Sequence, residues 1–125
     1  MAEDEALAHA RSTIEQLFQA ALAASDPVNA VRAALAWNGQ ELVVEGQRLA
    51  APRGVHIVAV GKAAAAMTAG ALAALGSAVM SGVIVTKDGH VDRELPARIQ
   101  IFEAAHPIPD QRGVDATQAI LRSLR

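Results

Sequence analysis

Val55-His56-Ile57-Val58-Ala59-Val60-Gly61-Lys62-Ala63-Ala64-Ala65-Ala66-Met67 is the stretch on which the fold turns. Its first six residues are apolar at all but one position, the composition of a strand with both faces covered. Glycine stops that run, and a series of strong helix formers begins at once. Lys62 to Leu75 therefore reads as a helix, with Gly76 as its stop.

Downstream the same alternation continues. Gly82 to Thr86 reads as a second strand, Ile99-Gln100-Ile101-Phe102 as a third after a polar loop, and Asp110 to Arg125 as a final helix. Short apolar strands alternating with helices predict an α/β fold, a Rossmann-like parallel sheet with right-handed crossovers and helices on both faces. Upstream, Leu7, Ile14, Leu17, Phe18, Ala21 and Leu22 recur at helical spacing and mark an amphipathic first helix. Ser25-Asp26-Pro27 supplies a stop, an N-cap and a proline at the first helical position, so a second helix is predicted from Pro27 to about Trp37. Glu41-Leu42-Val43-Val44 and Gln47-Arg48-Leu49-Ala50, joined at Glu45-Gly46, predict a short hairpin.

With 125 residues the chain makes one domain, residues 1–125. A net charge of -2, without an acidic or basic block, argues against nucleic-acid or membrane-surface partners. The absence of cysteine removes disulfides and thiolate chemistry and fits a reducing, cytoplasmic setting. Met1-Ala2-Glu3-Asp4-Glu5 lacks the positive charge of a secretory signal. Ala63 to Val85 carries no charge, but its small residues and the breaks at Gly76, Ser77, Ser81 and Gly82 speak against a membrane span. Ile120, Leu121 and Leu124 form an apolar stripe that is still running at Arg125, which leads us to expect a fragment or one domain of a longer protein.

Three strand ends carry the chemistry. At Gly61-Lys62, free N–H groups and the positive end of a helix dipole point to the carboxyl edge of the sheet, where ligands of open parallel sheets sit. A cation there is repelled by about 0.3 to 1 kcal/mol. Lys62 thus makes best sense opposite an anion, against the bland alternative of a solvated lysine beside a turn. No standard nucleotide loop explains it: His56 and Ala63 occupy positions where a Walker A loop needs glycine and serine or threonine, and Gly61 lacks a GxGxxG context. At the second strand end, Thr86, Lys87 and His90 can contact an acid or phosphate, while Asp88-Gly89 is also an ordinary turn pair. At the third, Pro107 and Pro109 stiffen the loop that carries His106, either for binding or as a loop anchor. Asp110 has two available jobs, capping the last helix and touching substrate. The four histidines do not suggest a metal site, since no carboxylate or thiolate pair accompanies them.

In this order and at these separations, the Gly61-Lys62-Ala63-Ala64, Val85-Thr86-Lys87 with Gly89-His90, and His106-Pro107-Ile108-Pro109-Asp110 segments resemble the amino-terminal domain of the type II glycerate 2-kinases. The resemblance covers nearly the whole chain. It implies ATP-dependent phosphorylation of D-glycerate on its 2-hydroxyl, with Mg2+ brought by ATP. By that resemblance Lys62 is the catalytic lysine, and Gly61, Thr86, Lys87, His90, His106 and Asp110 bind substrate or phosphate. Some relatives are labelled hydroxypyruvate reductase, but no nicotinamide fingerprint stands here. The family's glycine-rich nucleotide segment and second domain have no counterpart in these residues, so no turnover is expected of a chain ending at Arg125. Competing readings are a Rossmann-like anion-binding module without chemistry and a remnant that associates, as a homo-oligomer or otherwise, through its last helix.

Overall fold

The structure, a computed structural model, describes residues 2–125, with side chains from residue 4 onward; Met1, where the amino-terminal charge pattern begins, lies outside them. Ten elements follow the predicted order with one addition. They are α1 (Ala2–Ala24), α2 (Pro27–Ala34), β1 (Leu35–Trp37), β2 (Glu41–Val44), β3 (Gln47–Ala50), β4 (Val55–Val60), α3 (Ala64–Leu75), β5 (Val79–Lys87), β6 (Ile99–Ala104) and α4 (Gln111–Ser123). A short 3-10 turn, Gly76–Ala78, joins α3 to β5.

The parallel sheet has the order β4-β5-β6, with Val60 beside Val85 and Val85 beside Phe102. Its core is Ile84, fully buried, with Val79, Ile99, Ala64, Ala65, Ala78 and Leu75 around it. Burying an isoleucine side chain contributes roughly 1.5 to 3 kcal/mol, and the small residues of α3 let the helix approach the strands closely. On the helix's other side, a Cβ at Gly70 would collide with the Val28 carbonyl, so Gly70 sets how near α2 can lie. Ala63 to Val85, uncharged and long enough to raise the question of a span, is divided between α3, the 3-10 turn and β5; among the described residues no helix is long and apolar enough to cross a membrane.

Three expectations need correction. The second helix ends at Ala34 rather than near Trp37, because Leu35–Trp37 turns extended and pairs antiparallel with β2, making the hairpin a three-stranded sheet. Backbone pairing with a neighbouring edge, together with Leu35 and Trp37 packing against the α3 core, overrides local helix preference there. The third helix begins at Ala64, two residues after Lys62, because Gly61 has φ 126 and Ala63 is not yet helical. The parallel sheet is not fully covered on both faces: α4 packs on β5 and β6, while Val58 and Val60 of β4 stay 41% and 69% exposed. The expected first helix is present as α1, and its apolar stripe is not buried within this chain, every described residue from Asp4 to Ala24 being exposed.

Caps account for the helix starts. The Asp26 carboxylate accepts from the Val28 N–H at 3.2 Å, an arrangement that contributes about 1 kcal/mol, and Pro27 follows in the first turn. Asp110 caps α4 through the Gly113 N–H at 3.2 Å. Gly76 closes α3 with φ 54 and an N–H bonded to the Leu72 carbonyl.

Candidate functional site

At the carboxyl edge of the parallel sheet the ends of β4, β5 and β6 meet around one cleft. It is lined by Val60, Gly61, Lys62, Val85, Thr86, Lys87, Ala105 and His106, with a volume of about 180 Å3. It is an open cleft rather than an enclosed cavity, with room for a small organic acid or a phosphate.

Each wall has a local cause. Gly61 holds φ 126, which a side chain would resist, and its N–H bonds the Val85 carbonyl at 2.9 Å. The turn closes with the Ala64 N–H on the Gly61 carbonyl at 3.1 Å. The helix that follows has no side-chain cap at Ala63. Lys62 stands in that turn, exposed. Neither Lys62 nor Lys87 has an ion-pair partner within 4 Å among the described residues, although Lys87 is close enough to Asp88 to help lower its carboxyl.

Thr86 is the most informative side chain in the cleft. It is 3% exposed, and its Oγ1 has no hydrogen-bond partner among the described residues. Leaving a buried hydroxyl unpaired costs about 1 to 3 kcal/mol, and this one sits in a residue that lines the cleft. An uncapped helix start, two free lysines and an unpaired buried hydroxyl together suit a small anion with hydroxyl or carboxylate oxygens.

Gly61, Lys62, Thr86, Lys87 and His106, five of the residues singled out in the sequence, therefore converge. His90 and Asp110 do not line the cleft. His90 donates its N–H to the Lys87 carbonyl at 3.0 Å and closes the turn after β5. Asp110 is occupied by the α4 cap and by Arg112, whose Nε lies 2.7 Å from Oδ2. The Arg112 hydrogen bond, helped by the Gly113 and Ala105 backbone, holds the Asp110 carboxyl below the usual carboxylate range. Arg112 also lowers Asp88, its fork meeting both carboxylate oxygens at 2.6 and 2.7 Å. Sequence reasoning passed over Arg112, whose partner is 24 residues away, and Glu103, which accepts from the Gly89 N–H at 2.8 Å. The acidic pair Asp88 and Asp110, one on each side of the cleft loops, was the available hint.

Comparison with known proteins bears on the family and the fold. Residues 13–125 match the family described as "Domain of unknown function (DUF4147)". A "Glycerate 2-kinase" of Pyrococcus horikoshii is 37% identical over 94 residues, 75% of this chain and 20% of that protein. A "Putative hydroxypyruvate reductase" of Agrobacterium vitis is 35% identical over 118 residues, 93% of this chain and 23% of that protein. A solved structure of a Pyrococcus horikoshii OT3 protein superposes with a TM-score of 0.78 at 34% identity, over 91% of this chain and 25% of that one. The chain thus spans about a quarter of the length of these relatives.

Proposed function

The chain belongs to the DUF4147 family, the amino-terminal domain of the glycerate 2-kinase family, and from that premise we propose that it forms the acid-binding wall of a glycerate 2-kinase. The observation that carries this reading is the convergence of Lys62, Lys87 and the unpaired Thr86 hydroxyl on one small cleft at an uncapped helix start. In the proposed reaction the 2-hydroxyl oxygen of D-glycerate gives up its proton to solvent and bonds to the γ-phosphorus of ATP, the bond to the β–γ bridging oxygen breaks, and ADP leaves. Lys62 offsets the negative charge shared between the substrate and the migrating phosphoryl group. Thr86 and the first-turn N–H groups of α3 fix the acid's orientation, and His106 closes the rim.

Mg2+ accompanies ATP in this chemistry. Among the described residues no three His, Asp or Glu side chains converge, and the acids nearest the cleft loops, Asp88 and Asp110, are held by Arg112. The residues of this chain therefore do not fit a Mg2+ site of their own, and none is assigned to the metal. A nicotinamide-dependent reading has weaker support, because the β4–α3 turn carries Gly61 alone where a dinucleotide turn uses several glycines.

The experiment is ATP-dependent phosphorylation of D-glycerate by the gene product that carries this chain. Lys62→Ala is expected to lower kcat/KM by at least about a hundredfold. A variant within about threefold of wild type would remove Lys62 from the mechanism.

A further inference from the structure

Two carboxylates sit close in sequence to the cleft. Asp88 directly follows the lining residue Lys87, and Asp110 lies four positions beyond the lining residue His106. Either one, if unpaired, would compete with an anion for Lys62 and Lys87 or repel it. Neither is unpaired. Arg112 donates from Nη1 and Nη2 to the two oxygens of Asp88 at 2.6 and 2.7 Å, and from Nε to Oδ2 of Asp110 at 2.7 Å. The remaining Asp110 oxygen accepts from the Gly113 N–H at 3.2 Å.

This pair is an unpromising source of stability. The Arg112 and Asp88 side chains are 52% and 50% exposed, and such pairs are screened by water and salt. What the fork does supply is geometry. A planar guanidinium meets a carboxylate along two parallel bonds and leaves a third donor for a second acid, a pattern that an ammonium cannot reproduce. The same contacts join the turn after β5 to the head of α4, while the turn's bonds from the Asp88 N–H to the Ala104 carbonyl at 3.2 Å and from the Gly89 N–H to Glu103 at 2.8 Å run to β6.

We infer that Arg112 is a positioning residue: it keeps the Asp88 and Asp110 carboxylates engaged, so that the cleft presents Lys62 and Lys87 without ion-pair partners to a small anion. The inference rests on the reading of that cleft as an anion site. It makes Asp88 the source of the damage when Arg112 is lost, which a merely structural role does not. A carboxylate released about 7 Å from a bound anion, at an effective dielectric of about 40, between near-surface and bulk values, lowers its affinity by about five- to tenfold.

The test is titration with inorganic phosphate and with D-glycerate at low salt, followed by the backbone amide signals of Gly61, Lys87 and Ala105. Arg112→Gln is expected to weaken binding by about five- to tenfold, and the double variant Arg112→Gln with Asp88→Asn to recover to within about twofold of wild type, because Asp110 keeps its bond to Gly113. Asp88→Asn alone, which leaves Arg112 on Asp110, is expected to bind as well as wild type or better, and it decides the matter should Arg112→Gln fail to fold. Binding by Arg112→Gln within about twofold of wild type, a double variant no stronger than the single one, or weakened binding by Asp88→Asn overturns the inference alone. A wild-type protein that binds neither anion overturns the anion reading and the inference with it.

Discussion

Gly61 donates its N–H to the Val85 carbonyl at 2.9 Å, carrying the pairing of β4 and β5 one residue beyond the end of β4. That bond brings the start of α3 beside Thr86, the residue after Val85, and so joins two walls of the cleft. The turn needs a glycine for its backbone and not for space, since a Cβ at Gly61 would meet nothing within 4 Å while φ is 126. Gly61→Ala is therefore expected to lose about 1 to 3 kcal/mol of stability through strain alone. Urea unfolding checks this, and an unchanged midpoint would mean that the turn relaxes without cost.

The two unpaired buried hydroxyls separate function from stability. Thr86 lines the cleft, whereas Thr68, 1% exposed in α3, does not. Valine of the same shape removes a desolvated hydroxyl at either site, so Thr68→Val and Thr86→Val are each expected to raise stability by about 1 kcal/mol. Only Thr86→Val should also weaken D-glycerate binding. Equal binding by both variants would show that the Thr86 hydroxyl does not serve the ligand.

Ile84, with 0% exposure, stands at the middle strand under α3. Ile84→Ala leaves a cavity between a tightly packed helix and the sheet and is expected to cost about 2 to 5 kcal/mol. Thermal unfolding reads the loss directly. A smaller effect would mean that the alanine-rich helix settles into the gap.

Acid should loosen the loops around the cleft before it unfolds the sheet. Arg112 lowers the carboxyls of both Asp88 and Asp110, so their contribution is fully present above the ordinary aspartate value and is lost as pH falls through the lower folded values. The Asp88 and Gly113 amide signals are expected to hold steady down to about pH 4 and to shift only below it. In Arg112→Gln the same transitions should move upward, toward ordinary aspartate behaviour. Identical titrations in both proteins would show that the ion pairs do not persist in solution.

Much of this was legible in the sequence where the cause is local. Asp26-Pro27, Gly76 and Asp110 announce helix ends through their own backbone chemistry, and each does what its type predicts. The valine and isoleucine runs give the parallel strands, though β5 begins at Val79 and β6 continues to Ala104, because pairing with a neighbour extends a strand beyond its apolar centre. Long-range partners are harder to see. Leu35–Trp37 looks helical until β2 offers its edge, and Arg112 looks like an ordinary surface charge until Asp88 arrives from 24 residues away. The stripe on α1 shows a face to be covered without naming its cover.

The central claim is that the Gly61–Lys62 turn, Thr86 and Lys87 hold a small hydroxy acid, and titration of wild type and Lys62→Ala with D-glycerate tests it most directly. The account predicts saturable shifts in the Gly61, Lys87 and Ala105 amides of the wild type, with affinity at least about tenfold weaker in Lys62→Ala. Shifts that do not saturate, or a Lys62→Ala protein that binds D-glycerate as tightly as wild type, would contradict it.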